Sequence, residues 1–143
     1  MYHVLLPLDA DNERSRTAAE AIVNLPAADS EVRVTVLNVQ PKVDVSVGDG
    51  SHVSSNDWWD PDEFPNSVLE TVEFLESEGI SVDVRREHED PATCIIRVRG
   101  EEGIDAIVMA GRKTSPVGKV LFGSVTQSVL LSAEVPVTVV GTS

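Results

Sequence analysis

The segment from Gly111 to Ser124, Gly-Arg-Lys-Thr-Ser-Pro-Val-Gly-Lys-Val-Leu-Phe-Gly-Ser, holds the residue types best suited to chemistry. Three of the chain's eleven basic residues, Arg112, Lys113 and Lys119, fall within eight positions of an otherwise acidic sequence. Gly123-Ser124 stands where a helix should begin, so free backbone N–H groups and the positive end of the dipole favour an anion there. Glycine lets a phosphate approach the backbone, and the serine hydroxyl adds a donor. The competing reading is a surface loop whose cations offset nearby acids. Gly118-Lys119 is not a Walker A loop, because six residues separate it from Gly111 and Val120 stands where Ser or Thr is needed. No Gly-x-Gly-x-x-Gly follows the first apolar run either. Asp9, at the end of that run, is the other candidate; its plainer role is to cap a turn or the first helix.

These residues are positioned by an alternation that reads β-α-β-α-β-α-β-α-β. Val4 to Leu8 and Ala106 to Ala110 are continuous apolar runs, expected of strands buried on both faces. Asp11 or Asn12 caps a helix carrying Ala18, Ile22 and Leu25 before Pro26. Val32, Val34, Val36 and Val39 form a strand, with Leu37 on its other face. A second helix spans about Asn66 to Glu78 with Val68, Val72 and Leu75 inward and Gly79 at its left-handed end. Ile80, Val82 and Val84 alternate with polar residues, as in a strand near a sheet edge. Asp90-Pro91 opens a third helix, with Ile95 and Ile96 inward, that ends near Gly103. A fourth runs from about Ser124 to Ala133 with Val125, Val129 and Leu130 as its apolar face, and Val135 to Val140 closes the chain as a strand. Strands separated by helices imply a mostly parallel sheet covered on both faces. The one long irregular stretch, Pro41 to Pro65, holds Trp58 and Trp59, of which at least one should dock, on the domain's own helices by the simplest reading.

Composition narrows the function. The 143 residues suit one domain, 1–143, and 41% apolar content suffices for a core. No apolar run is long enough to span a membrane, and no basic stretch precedes the first strand as in a secretory signal. The lone Cys94 reads as a structural thiol in a reducing, cytoplasmic setting. A net charge of −13 disfavours nucleic acid and anionic lipid. With three lysines among eleven bases, it also points to a salt-rich cytoplasm where self-repulsion is screened. His3, His52 and His88 lack the spacing of metal ligands. Glu87-His88-Glu89-Asp90 reads as a solvated strand end, and no nucleophile elbow is present.

Across its whole length the chain resembles the universal stress protein family, in particular a haloarchaeal-type acidic member. Three places carry the resemblance: Val4 to Asp9, Asp90-Pro91-Ala92, and Val108 to Val140. It implies a three-layer α/β/α sandwich with a five-stranded sheet in the order 3-2-1-4-5 and four helices. In that family Gly-x-x-Gly, nine residues, then Gly-Ser or Gly-Thr marks members that hold ATP. Carried over, the nucleoside would meet Pro7, Leu8, Asp9 and Val39, with Ala110 at the base or ribose. The phosphates would meet Gly111, Gly123, Ser124 and Val125, and Thr114 counts among the cofactor-binding positions. Thr114 stands where the second glycine belongs, and eight residues, not nine, separate it from Gly123. AMP, ADP or a smaller anion therefore stands beside ATP, with magnesium as a companion ion. The resemblance further implies a homodimer through Val135 to Val140, an edge strand without charges to guard it. The expected function is regulatory, non-catalytic nucleotide binding in a stress-associated protein. A nucleotide-free dimeric interaction module and a slow ATPase are the alternatives.

Overall fold

The apolar run at the N-terminus becomes the central strand because both of its faces are covered. In the computed structural model, which describes residues 1–42, 44–46, 52–55, 58–112 and 123–142, β1 (Tyr2–Leu8) sends Val4, Leu6 and Leu8 into one core and Leu5 into the other. The first core is closed by α1 (Asn12–Val23), through Ala18, Ala19 and Ile22, and by α3 (Asn66–Ser77), through Val68 and Leu75. The second is closed by α4 (Pro91–Glu102), through Cys94, Ile95 and Val98, and by Val129 of α5 (Ser124–Ser132). Two helical layers on one sheet give the α/β/α sandwich.

The sheet joins β2 (Val32–Gln40), β5 (Ser81–His88), β6 (Ala106–Arg112) and β7 (Val137–Thr142) to β1 in the order β5-β2-β1-β6-β7. Counting only these five strands, the order is 3-2-1-4-5, and every pairing is parallel. Register places Val4 beside Val34, Leu5 beside Ile107 and Met109 beside Val139. The half-polar β5 lies at one edge and β7 at the other.

Helix ends follow local chemistry. The Asp11 side chain accepts from Arg14 N at 2.8 Å and caps α1. Asp90 accepts from Thr93 N at 3.1 Å, with Pro91 in the first turn of α4. Gly79 (φ +80°) and Gly103 (φ +64°) take the left-handed conformation that ends α3 and α4.

Three features differ from the sequence expectation. A fifth, four-residue helix, α2 (Ala28–Glu31), follows Ala27, whose φ of 55° is left-handed. It is too short for an apolar stripe to announce it. Within the 41–65 stretch, β3 (Asp44–Ser46) and β4 (His52–Ser54) pair antiparallel outside the main sheet. The alternating Val-Asp-Val-Ser-Val at 43–47 was the available signal. In α5, Leu130 is 42% exposed, and Thr126 joins Val129 in facing inward. Leu130 lies about 100° round the helix from Val129 and falls outside the face that α5 buries.

Candidate functional site

The sheet order dictates where a crevice forms. From β1 the chain crosses by α1 to β2 on one side, while β6 flanks β1 on the other, so the helices leaving the carboxyl ends diverge. A cleft of about 600 Å³ opens there. Pro7, Leu8 and Asp9 come from the end of β1, Val39 from β2, Ala110 and Gly111 from β6, and Gly123, Ser124 and Val125 from the start of α5. Nine of the ten residues singled out in the sequence thus line one cavity; the tenth, Thr114, lies outside the described residues. Lys113, Gly118 and Lys119 lie outside them too, as does the side chain of Arg112.

The strand order also sets the lateral arrangement, with Val39 on one flank, Asp9 near the middle and Gly111 with α5 on the other. Apolar surface comes from Pro7, Leu8, Val39, Ile95, Met109 and Ala110, enough for a flat ring to lie against. The α5 flank is bare. Gly123 is the N-cap residue in extended conformation (φ −63°, ψ 164°), and no side chain among the described residues caps the helix. Its carbonyl accepts from Gln127 N at 3.0 Å, while the first-turn N–H groups have no intrahelical acceptor. Among the described residues, a Cβ built on Gly123 would meet nothing within 4 Å. The carbonyl of Gly111 accepts from Thr142 Oγ1 at 3.2 Å, which ties the end of β6 to β7.

Asp9 does more than end a strand. Its Oδ1 accepts from Asp11 N at 2.9 Å, the turn role foreseen for it, while the capping falls to Asp11. Its Oδ2 accepts from Arg14 Nη2 at 2.8 Å, and its carbonyl accepts from Ser67 Oγ at 3.0 Å. The Asp9 hydrogen bond holds the Arg14 guanidinium above its ordinary pKa. Asn38 is buried beside the site and donates from Nδ2 to Leu8 O at 3.1 Å.

Arg14, Ser15, Pro41, Pro91, Ile95, Met109 and Thr126 also line the cleft, and the sequence reading did not name them as ligand-contacting. Arg14 and Ser15 were detectable in principle, since they follow the cap Asp11 by three and four residues and share the first turn of α1. Pro91 and Ile95 follow the cap Asp90 by one and five residues and lie one turn apart on α4.

The chemistry available is limited. Asp9 is the only carboxylate among the described lining residues. Cys94 is buried, and burial together with Glu89 pushes its thiol up to about 12, so it carries no thiolate at neutral pH. Among the described residues no group of three or more His, Cys, Asp or Glu is placed to hold a metal, and no helix is long and apolar enough to cross a membrane. Trp59 stacks on His88 of β5 at 4.9 Å between ring centroids, with the Arg86 guanidinium 5.4 Å from its ring, so it docks on a strand and not on helices. Trp58 remains 53% exposed.

A doubly wound parallel sheet with a largely apolar crevice at its switch point, and on its rim a helix N-terminus that no described side chain caps, defines an open α/β domain built around a ligand cleft. Residues 1–141 match the universal stress protein family, and the chain belongs to that family. Its fold is shared with a universal stress protein from Archaeoglobus fulgidus (TM-score 0.68, 23% identity, 97% of this chain and 98% of that one). A structure of the universal stress protein from Archaeoglobus fulgidus in complex with dAMP gives 0.62 and 18%, covering 97% of each chain. An Arabidopsis thaliana family member with AMP bound gives 0.66 and 16%, covering 100% of this chain and 93% of that one. No curated protein matches the sequence.

Proposed function

We propose that this protein, as a single domain over 1–143, binds an adenine nucleotide in the cleft and acts by occupancy, not turnover. The base and ribose lie against Pro7, Leu8, Asp9, Val39 and Ala110. The phosphates meet Gly111, Gly123, Ser124 and Val125, and Thr114 belongs to the same set by the family pattern. ATP, ADP and AMP are all candidates, with magnesium accompanying the longer phosphates. The carrying observation is the start of α5 at Gly123, where no described side chain caps the helix and no described atom lies against the glycine. The cleft volume is within the usual range for a small-molecule site. The solved relatives holding AMP and dAMP support the same ligand class. Bound phosphate would shift contacts with partners, in proportion to its differential affinity for the two states.

The wider reading is a stress-associated regulator in a salt-rich cytoplasm, of the haloarchaeal acidic type, that dimerises through the C-terminal strand. A nucleotide-free dimeric module is the second reading, favoured by the Thr114 departure from the glycine pattern.

The test is direct. Protein denatured after purification should release AMP, ADP or ATP detectable by mass spectrometry. Saturation of emptied protein at 100 times Kd should add about 2.7 kcal/mol of stability. Gly123→Asp places a carboxylate against the phosphate and should abolish the shift. Open space at Gly123 leaves the ligand-free melt within about 0.5 kcal/mol of the parent. An absence of any shift with all adenine nucleotides would favour the second reading.

A further inference from the structure

We infer that Arg14 is the positioning residue for Asp9, and that the pair makes this end of the cleft a reader of neutral hydrogen-bond donors. This rests on the nucleotide reading above and deepens it. The Asp9 side chain is 57% exposed at the cleft, yet it is not free to turn. Asp11 N holds Oδ1 at 2.9 Å and Arg14 Nη2 holds Oδ2 at 2.8 Å. Each carboxylate oxygen has about two lone-pair sites, so beside its one partner among the described residues each has a second to offer a ligand. An ionised carboxylate only accepts; it takes a hydroxyl or an amine and repels phosphate. The start of α5 is the opposite pole, offering only N–H donors and taking acceptors. The cleft therefore fixes which way round a nucleotide lies.

Arg14 is well placed to hold Asp9. Its backbone sits in the first turn of α1, where its N–H donates to Asp11 Oδ1 at 2.8 Å. Its guanidinium also lies 3.5 Å from Asp11 Oδ2, and its side chain is only 23% exposed. A side chain already confined by two carboxylates loses little entropy when the ligand arrives. It is also the only cation among the described lining residues, so direct contact with phosphate is the competing role.

The experiment compares AMP with inorganic tripolyphosphate on wild type, Arg14→Met, Arg14→Lys and Asp9→Asn, by calorimetry in about 1 M KCl. There the Debye length is about 3 Å, which removes the long-range effect of changing the cleft's charge. Arg14→Met keeps the backbone cap on Asp11. It should weaken AMP about tenfold while tripolyphosphate changes less than about twofold. Arg14→Lys should recover part of the loss, and Arg14→Met added to Asp9→Asn should cost nothing further, because the effect passes through Asp9. On wild type, weaker binding of IMP would identify the base amine as the donor read, and weaker binding of dideoxy-AMP the ribose hydroxyls. Equal loss of AMP and tripolyphosphate would show Arg14 on the phosphate and overturn the inference, as would unchanged AMP affinity or indifference to both donor deletions. Wild type that binds neither AMP nor tripolyphosphate would instead remove the nucleotide reading itself.

Discussion

His3 shows how a single side chain records its burial. It is buried, its Nε2 lies 2.7 Å from Thr35 Oγ1, and Thr35 Oγ1 donates to Glu102 at 3.1 Å. Burial, helped by Arg33, lowers its pKa below the ordinary 6.5 against the opposing pull of Glu102, Asp105 and Asp83. Below pH 6.5 the unfolded chain takes up a proton that the folded chain resists. The resulting stability is present above that pH and is lost as pH falls towards the depressed folded value. His3→Gln should flatten the fall in melting temperature between about pH 7.5 and pH 5.5. Because His88 is lowered as well, chiefly by burial, the double variant should flatten it further. Glu89, Asp90 and Glu101 are lowered from already acidic values and titrate below this window. A melting curve against pH that the two substitutions leave unchanged would refute the assignment.

Among the elements, the contrast between the two edge strands is the most consequential. β5 carries Arg85, which reaches Glu87 at 2.7 Å, Glu101 at 2.8 Å and Glu102 at 3.0 Å, while Arg97 of α4 reaches Glu89 and, at 2.6 Å, Glu101. Charged side chains at an edge discourage pairing with another sheet. β7 has no such guard: its sequence is Val-Thr-Val-Val-Gly-Thr, and Val139 and Val140 are only partly buried. If the protein pairs through this strand, Val139→Lys should yield a monomer by light scattering, with the cleft intact. A parent that is already monomeric at working salt would dismiss the dimer. The same substitution separates the readings of function, since an interaction module loses its role where a nucleotide binder keeps its ligand.

Charge acts on the molecule as a whole. Acids outnumber bases 24 to 11, so the arginine–carboxylate network can neutralise only part of the surface. Self-repulsion of that kind is long-ranged at low salt and is cut to about 3 Å near 1 M. Melting temperature should therefore rise steadily across a KCl series from about 0.1 M to 2 M, by more than for a neutral protein of this size. A flat or falling profile would contradict the salt-rich setting. The same screening removes long-range attraction between the cleft and an anion, so at the proposed site affinity at high salt would have to come from short hydrogen bonds such as those offered by Gly123 and Ser124.

Element order, strand character and helix ends were legible because they depend on neighbours within four or five residues. Asp90-Pro91, Gly79 and Gly103 announced the limits of α3 and α4, and the apolar runs at Val4 and Ala106 announced two buried strands. The sequence marked most of the cleft by the ends of those same elements, and the family resemblance supplied the strand order. Tertiary structure alone decided the rest: Arg14 on Asp9, Ser67 on the Asp9 carbonyl, Asn38 on Leu8, and Trp59 on His88. Except for Arg14, these partners lie about thirty or more residues apart. No local period encodes such a meeting; it follows from which strands become neighbours and how the helices then cross them.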